Sequence, residues 1–228
     1  AMELSAYIHH SICDKHESIW IAQREGRTKD SNDVTQESLV KMLAIGGEGE
    51  FLDRLIALNI SPAAISYEYD PNDYLKSREF LLKRLDASFK KSQHDDLFSM
   101  ETGMLQPKGR IHFSIAGPIN EQLAKINRSL PKAVQVKEVC HIIDTAIHSR
   151  YRIYPINFIA YDILNETSRF ADRYTPEEVS HFENYIESQL KKVDIENISE
   201  SDMNYMRNMM LTMYANPLKN KIASGAQL

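Results

Sequence analysis

I-S-P-A-A-I-S-Y-E-Y-D-P, residues 60–71, passes from one backbone regime to another within twelve positions. Apolar, β-branched and aromatic residues up to Tyr69 read as a strand. Pro62 belongs near its beginning, because proline cannot donate into a sheet interior. Asp70-Pro71 then opens a long helix, with Pro71 at the first helical position. That helix carries Leu75, Phe80, Leu82, Leu85 and Phe89. A strand feeding directly into a helix predicts an α/β arrangement for this part of the chain.

Working outward, residues 109–117 (G-R-I-H-F-S-I-A-G) alternate as a second strand, and residues 18–23 (S-I-W-I-A-Q) form a short apolar run that reads as a third. Residues 4–16 read as a helix, with Leu4, Ile8 and Ile12 on one face. Asp33 followed by Gln36 resembles a capping box that starts another helix, stopped at Gly46-Gly47. A further helix covers about residues 50–58. After Pro118 the pattern is helical almost to the end, with candidates over residues 120–129, 132–149, 156–167, 176–193 and 201–214. The fold class expected is therefore α/β: a small sheet with flanking helices over residues 1–117, followed by an all-helical region over residues 118–228. Three strands make a thin sheet, and Ala1 before Met2 reads as an expression scar. Both lead to the expectation that the natural protein extends upstream.

The chain is 43% hydrophobic and 26% charged, a balance that supports a folded core rather than disorder. A formal net charge of -5 argues against a broad nucleic-acid footprint. Cys13 and Cys140 lie far apart in apolar, helix-like stretches, so no disulfide framework or zinc site is expected and a cytoplasmic compartment fits. No apolar run reaches the length of a membrane span, and the first residues do not form a secretory signal.

Glu25-Gly26-Arg27-Thr28 follows the run at 18–23 and precedes a helix. Ligands of open α/β sheets bind at the carboxyl ends of strands. A guanidinium there can grip phosphate through paired hydrogen bonds, and a glycine lets the backbone come close. Lys15, Arg24 and Lys29 would add positive potential. The competing reading is a charged, solvated surface loop.

The segment I-W-I-A-Q-R-E-G-R-T-K-D-S, residues 19–31, resembles the third conserved block of the glycerol-3-phosphate and 1-acylglycerol-3-phosphate acyltransferase family, in a bacterial and divergent form with Arg24 where the family usually has proline. Residues 60–65, I-S-P-A-A-I, resemble the fourth block, with Pro62 as the matching proline. The match spans about residues 18–70, and residues 150–162 look like the helical tail of a bacterial subgroup. The resemblance implies a transferase of phospholipid biosynthesis that moves an acyl group from a thioester donor, coenzyme A or acyl-carrier protein, to a glycerol-phosphate or lysophospholipid acceptor. It implies acceptor binding by Glu25, Gly26 and Arg27, with Thr28 and Pro62 beside them. Neither cofactor nor metal is implied, and the protein would work at the inner face of the membrane.

The family's catalytic block is His-x4-Asp, in which the aspartate orients a histidine that deprotonates the acceptor hydroxyl. The formal match here is His9 and Asp14, in H-H-S-I-C-D. It lies too close to Glu25, whereas in the family the block sits several tens of residues upstream. Five positions on a helix span about 500°, so His9 and Asp14 do not share a face, whereas His10 and Asp14 do. The chain is thus expected to lack the catalytic pair. The alternative is a catalytically incomplete module that binds lipid or a protein partner at the membrane surface.

Other polar residues have plainer readings. His112 is expected at a solvent-facing or edge position, opposite in phase to Ile111 and Phe113. Asp95 or Asp96 reads as a helix cap rather than a metal ligand with His94 and Glu101. His141 and His148 share a helix face, as a buried or interface pair. Met203, Met206, Met209, Met210 and Met213 fall at helical spacing and read as packing residues.

Overall fold

The computed structural model describes residues 1–23 and 28–228. Helix α1 (Met2–His9) runs into a π-helical turn, His10–Asp14, and α2 (Glu37–Leu43) and α3 (Phe51–Ala57) follow. Strand β1 (Ala63–Tyr67) leads into α4 (Asp73–Leu85), α5 (Gln93–Leu105) and strand β2 (Ile111–Ile115). The remainder is helical: α6 (Asn120–Ala124), α7 (Lys132–His148), α8 (Pro155–Leu164), α9 (Pro176–Leu190) and α10 (Glu200–Ala223). The expected small sheet with flanking helices and the all-helical C-terminal region are both present.

Local chemistry sets several of the helix starts. Glu50 and Asp53 form a capping box at α3, Ser92 and Asp95 at α5, and Thr175 and Glu178 at α9, where Pro176 holds the first helical position. Ser199 caps α10 by accepting from the Asp202 amide at 3.1 Å. Three details differ from the sequence pattern. Helix α4 stops at Leu85 because Asp86 turns extended and takes the Ser88 amide and hydroxyl. Helix α5, absent from the pattern-based list, presents the large apolar residues Leu97, Met104 and Leu105 to solvent and buries Ser99 and Thr102. Helix α2 begins after Gln36 without a side-chain cap, because the Asp33 carboxylate is engaged by Thr28 and Tyr151 instead.

The sheet has two antiparallel strands, in the register Ala63↔Ile115, Ile65↔Phe113 and Tyr67↔Ile111. Residues 18–23 do not join it. Apolar alternation makes a segment suited to a sheet, but a strand also needs a partner for its backbone groups. Here β1 and β2 satisfy each other, and Ser18–Ala22 make no ladder among the described residues. Trp20 instead lays its ring on Phe113, with centroids 6.1 Å apart.

Two main apolar clusters hold the chain together. The first gathers α1, α2, α3, α6 and α7 around Val40, Leu55, Leu123, Val136 and Val139, all fully buried. The second joins α8, α9 and α10 around Phe182, Ile186, Met206 and Met210, with Leu81 of α4. Helix α8 is apolar nearly all round because neighbours enclose it, and its two buried polar residues are both bonded. Asn157 donates to the Tyr214 carbonyl at 2.8 Å, and Asp162 accepts from the Phe170 amide and the Tyr174 hydroxyl, each at 2.9 Å. Met206, Met210 and Met213 are packed in this core. No helix among the described residues is long and apolar enough to cross a membrane.

Candidate functional site

A cavity of about 900 Å³ runs between the two clusters. Its apolar end is formed by Ile8, Ile12, Leu39, Leu43, Ile143 and Ile147, all belonging to the first cluster. Its polar end carries Ser66, Asp70, Lys76, Asn157, Arg152 and Tyr214. The size matches a small-molecule site, and the division into an oily and a polar end suits an amphiphile. Residues 18–23 form one stretch of wall and Pro62 another, and Thr28 also belongs to it.

Both flanks of residues 24–27 are fixed by side chains from distant parts of the chain. On the N-terminal flank, the Gln23 side-chain amide donates to Asp144 of α7 at 3.2 Å, and the Gln23 carbonyl accepts from the Gln36 amide at 3.1 Å. Asp144 also accepts from the Thr35 amide at 2.8 Å and the Thr35 hydroxyl at 2.5 Å. On the C-terminal flank, Thr28 bonds Asp33, whose carbonyl accepts from His148 at 2.8 Å. Lys29 reaches the buried Glu79 of α4, which Lys83 and Lys91 also approach at 3.0 Å. Burial and the Lys83 ammonium beside it push the Lys29 pKa down to about 8. Asn216 of α10 donates to the Asp30 carbonyl at 2.7 Å.

The sequence-derived candidates fall in different places. Glu25, Gly26 and Arg27 lie outside the described residues. Thr28 and Pro62 are both in the cavity wall. His9 and Asp14 are not brought together. The buried His9 ring donates to the Leu43 carbonyl at 2.9 Å and lies against Gly46 and Gly47, where an added Cβ would come within 2.9 and 2.5 Å of it. Gly47 also has φ +78°, so it fits on both steric and conformational grounds. Asp14 accepts from His10 at 2.7 Å on the exposed side of the π-helical turn. Neither histidine lines the cavity. His112 is exposed opposite Ser66. His141 is exposed while His148 is buried against Asp33, so the two do not act as a pair. No cluster of metal ligands occurs among the described residues.

Behind Tyr214 of the cavity wall lies a buried acid that the sequence did not single out. Asp73 is fully buried and accepts from Tyr185 at 2.6 Å and from Tyr214 at 2.7 Å. Desolvation raises its pKa to about 6, although the tyrosines favour the carboxylate. The same burial raises the pKa of both tyrosines, which remain protonated donors. Asp144, Asp73 and Arg152 were missed because each acts through residues far away in sequence. Only the sequence run 150–162, which includes Arg152, carried any signal.

Comparisons with family models, curated proteins and solved structures give no match for this chain.

Proposed function

We propose that the chain binds a phosphorylated glycerol acceptor, as the acceptor-binding portion of a glycerolipid acyltransferase. In that reaction the acceptor hydroxyl attacks the carbonyl carbon of an acyl thioester. An ester forms, the thiol leaves, and a base takes the hydroxyl proton. Arg27 would hold the acceptor phosphate, Glu25 would orient Arg27 or an acceptor hydroxyl, and Thr28 and Pro62 would shape the wall.

The observation that carries this reading is the position of the flanks. The segments on both sides of residues 24–27 line a cavity with one apolar and one polar end. A site of that kind accommodates a phosphate-bearing headgroup together with hydrocarbon. Trp20, the single tryptophan, lines the same cavity and gives a direct readout. Titration with octanoyl lysophosphatidate should change its emission, and Arg27→Ala should weaken binding at least about tenfold, as expected for a lost charge-assisted phosphate contact. Equal binding by both proteins would sink the acceptor role.

A second reading, a module that binds without turnover, is favoured by the commitment of the His9 ring to the Leu43 carbonyl and of Asp14 to His10. An acyl-transfer assay with acyl-coenzyme A and glycerol 3-phosphate separates the two. Turnover by this chain that survives His9→Ala and Asp14→Ala would demand a different base.

A further inference from the structure

Arg152 stands apart from the other arginines. Arg110 pairs with Glu68 at 2.8 Å, Arg128 with Asp53 at 2.6 Å, and Arg207 with Glu183 at 3.3 Å. Arg54 and Arg150 are spent on backbone carbonyls, and Arg84 and Arg169 lie over aromatic rings. Arg78 approaches Asp95, and Arg173 approaches Asp172. Among the described residues, the Arg152 guanidinium alone of the described arginines has no acceptor, carboxylate or ring, and it lines the cavity.

Its backbone is held in place, while its exposed side chain has no partner among the described residues. The Arg152 amide donates to Ser66 of β1 at 3.0 Å, so the residue is fixed to the sheet. Beside it, the Lys221 ammonium donates to the carbonyls of Ser149 at 3.0 Å and Tyr151 at 2.8 Å. Burial, and secondarily repulsion from Arg152, lowers the Lys221 pKa. No carboxylate among the described residues pairs with either cation. Of the wall's carboxylates, Asp33 is engaged by Thr28 and Tyr151, Asp70 by Lys76 and the Asn72 amide, and Glu17 makes no ion pair with Arg152. An arginine at a cavity wall, with no counter-charge among the described residues and a second cation behind it, attracts an anion, and a guanidinium suits a phosphate because its fork can donate two parallel bonds.

We propose that Arg152 is a second phosphate-binding residue of this cavity, gripping an oxyanion of the ligand's phosphomonoester headgroup. The assignment rests on the acceptor reading above and extends it to a residue more than a hundred positions away. Because the side chain is exposed and has no bond to lose among the described residues, its removal should leave folding intact.

The test is a titration of wild type, Arg152→Ala, Arg152→Lys and Arg27→Ala with glycerol 3-phosphate and with octanoyl lysophosphatidate. Thermal melts run alongside, with Arg173→Ala as a surface control. Arg152→Ala should weaken both ligands at least about tenfold, Arg152→Lys should recover part of that loss, and the melts should coincide. Weakening by Arg27→Ala with no effect of Arg152→Ala overturns the Arg152 assignment and leaves the acceptor reading standing. The converse pattern supports Arg152 and removes Arg27 from the site. Absence of binding by wild type, or no effect of either substitution, overturns both.

Discussion

The bundle of α8, α9 and α10 and the two-stranded sheet use the same kinds of residue to opposite ends. In the bundle Phe182, Ile186, Met206 and Met210 are at most 1% exposed, and Phe182 meets the Tyr214 ring edge-on at 5.4 Å. In the sheet Ile111, Phe113 and Ile115 are 50–59% exposed, and Trp20 beside them is 69% exposed. The bundle closes its apolar surface on itself, because three helices offer complementary faces. The two strands bury Ala64 in the first cluster but have no second layer over their other face, so most of their apolar residues remain at the surface while neighbouring segments line a cavity. Stability should therefore reside in the bundle, and binding in the cavity beside the sheet.

Substitutions on the two sides should separate cleanly. The largest effect is expected for Phe182→Ala, which should cost about 3–5 kcal/mol in urea unfolding by leaving a cavity in the bundle core. Ligand affinity measured on the folded fraction should not move. If affinity fell in step with stability, the division between bundle and cavity would be wrong.

Asp73 lies where the two regions meet, and its ionisation should give a pH-dependent effect of intermediate size. Its folded pKa, about 6, is above the ordinary carboxylate value. The folded state therefore holds the proton more tightly than the unfolded chain, and this contribution is complete below about pH 4. It is lost as pH rises through about 6, a decline of order 3 kcal/mol for a carboxyl raised from its ordinary value to about 6. Asp73→Asn cannot ionise, so the difference between its urea stability and that of wild type should change by roughly that amount between pH 4 and 7. A constant difference across that range would show that the buried acid does not titrate there.

The smallest effect is expected on the sheet. Phe113→Ala removes an exposed ring whose main partner is Trp20, and should cost less than about 1 kcal/mol. The Trp20 emission maximum should nevertheless shift. A loss approaching that of Phe182→Ala would mean that this face is covered in solution.

Much of the helical architecture was legible because its signals are local. Thr175-Pro176 with Glu178, and Ser199 before an apolar-periodic run, mark helix starts within four residues. The strand over Ala63–Tyr67 and the strand over Ile111–Ile115 were likewise visible as alternation flanked by proline and glycine. Residues 18–23 carried the same alternation yet form no ladder, because strand pairing depends on what lies alongside. Asp33 looked like a cap three residues ahead of Gln36, but Thr28 and Tyr151 compete for its carboxylate. His9 shows the same limit: its environment comes from Leu43, Gly46 and Gly47, more than thirty positions away.

The order of helices, the places where most begin, the two strands of the sheet and the mismatch in phase between His9 and Asp14 all followed from neighbouring residues and the 3.6-residue helical repeat. The cavity did not. Its walls come from residues 8 to 217, and their meeting depends on how two apolar clusters close around the sheet. Only that closure decides that Asp73 is buried between two tyrosines and that the Arg152 guanidinium is left unpaired among the described residues. Burial and pairing belong to the whole chain's packing, whereas caps and periodicity are fixed within a few residues of sequence.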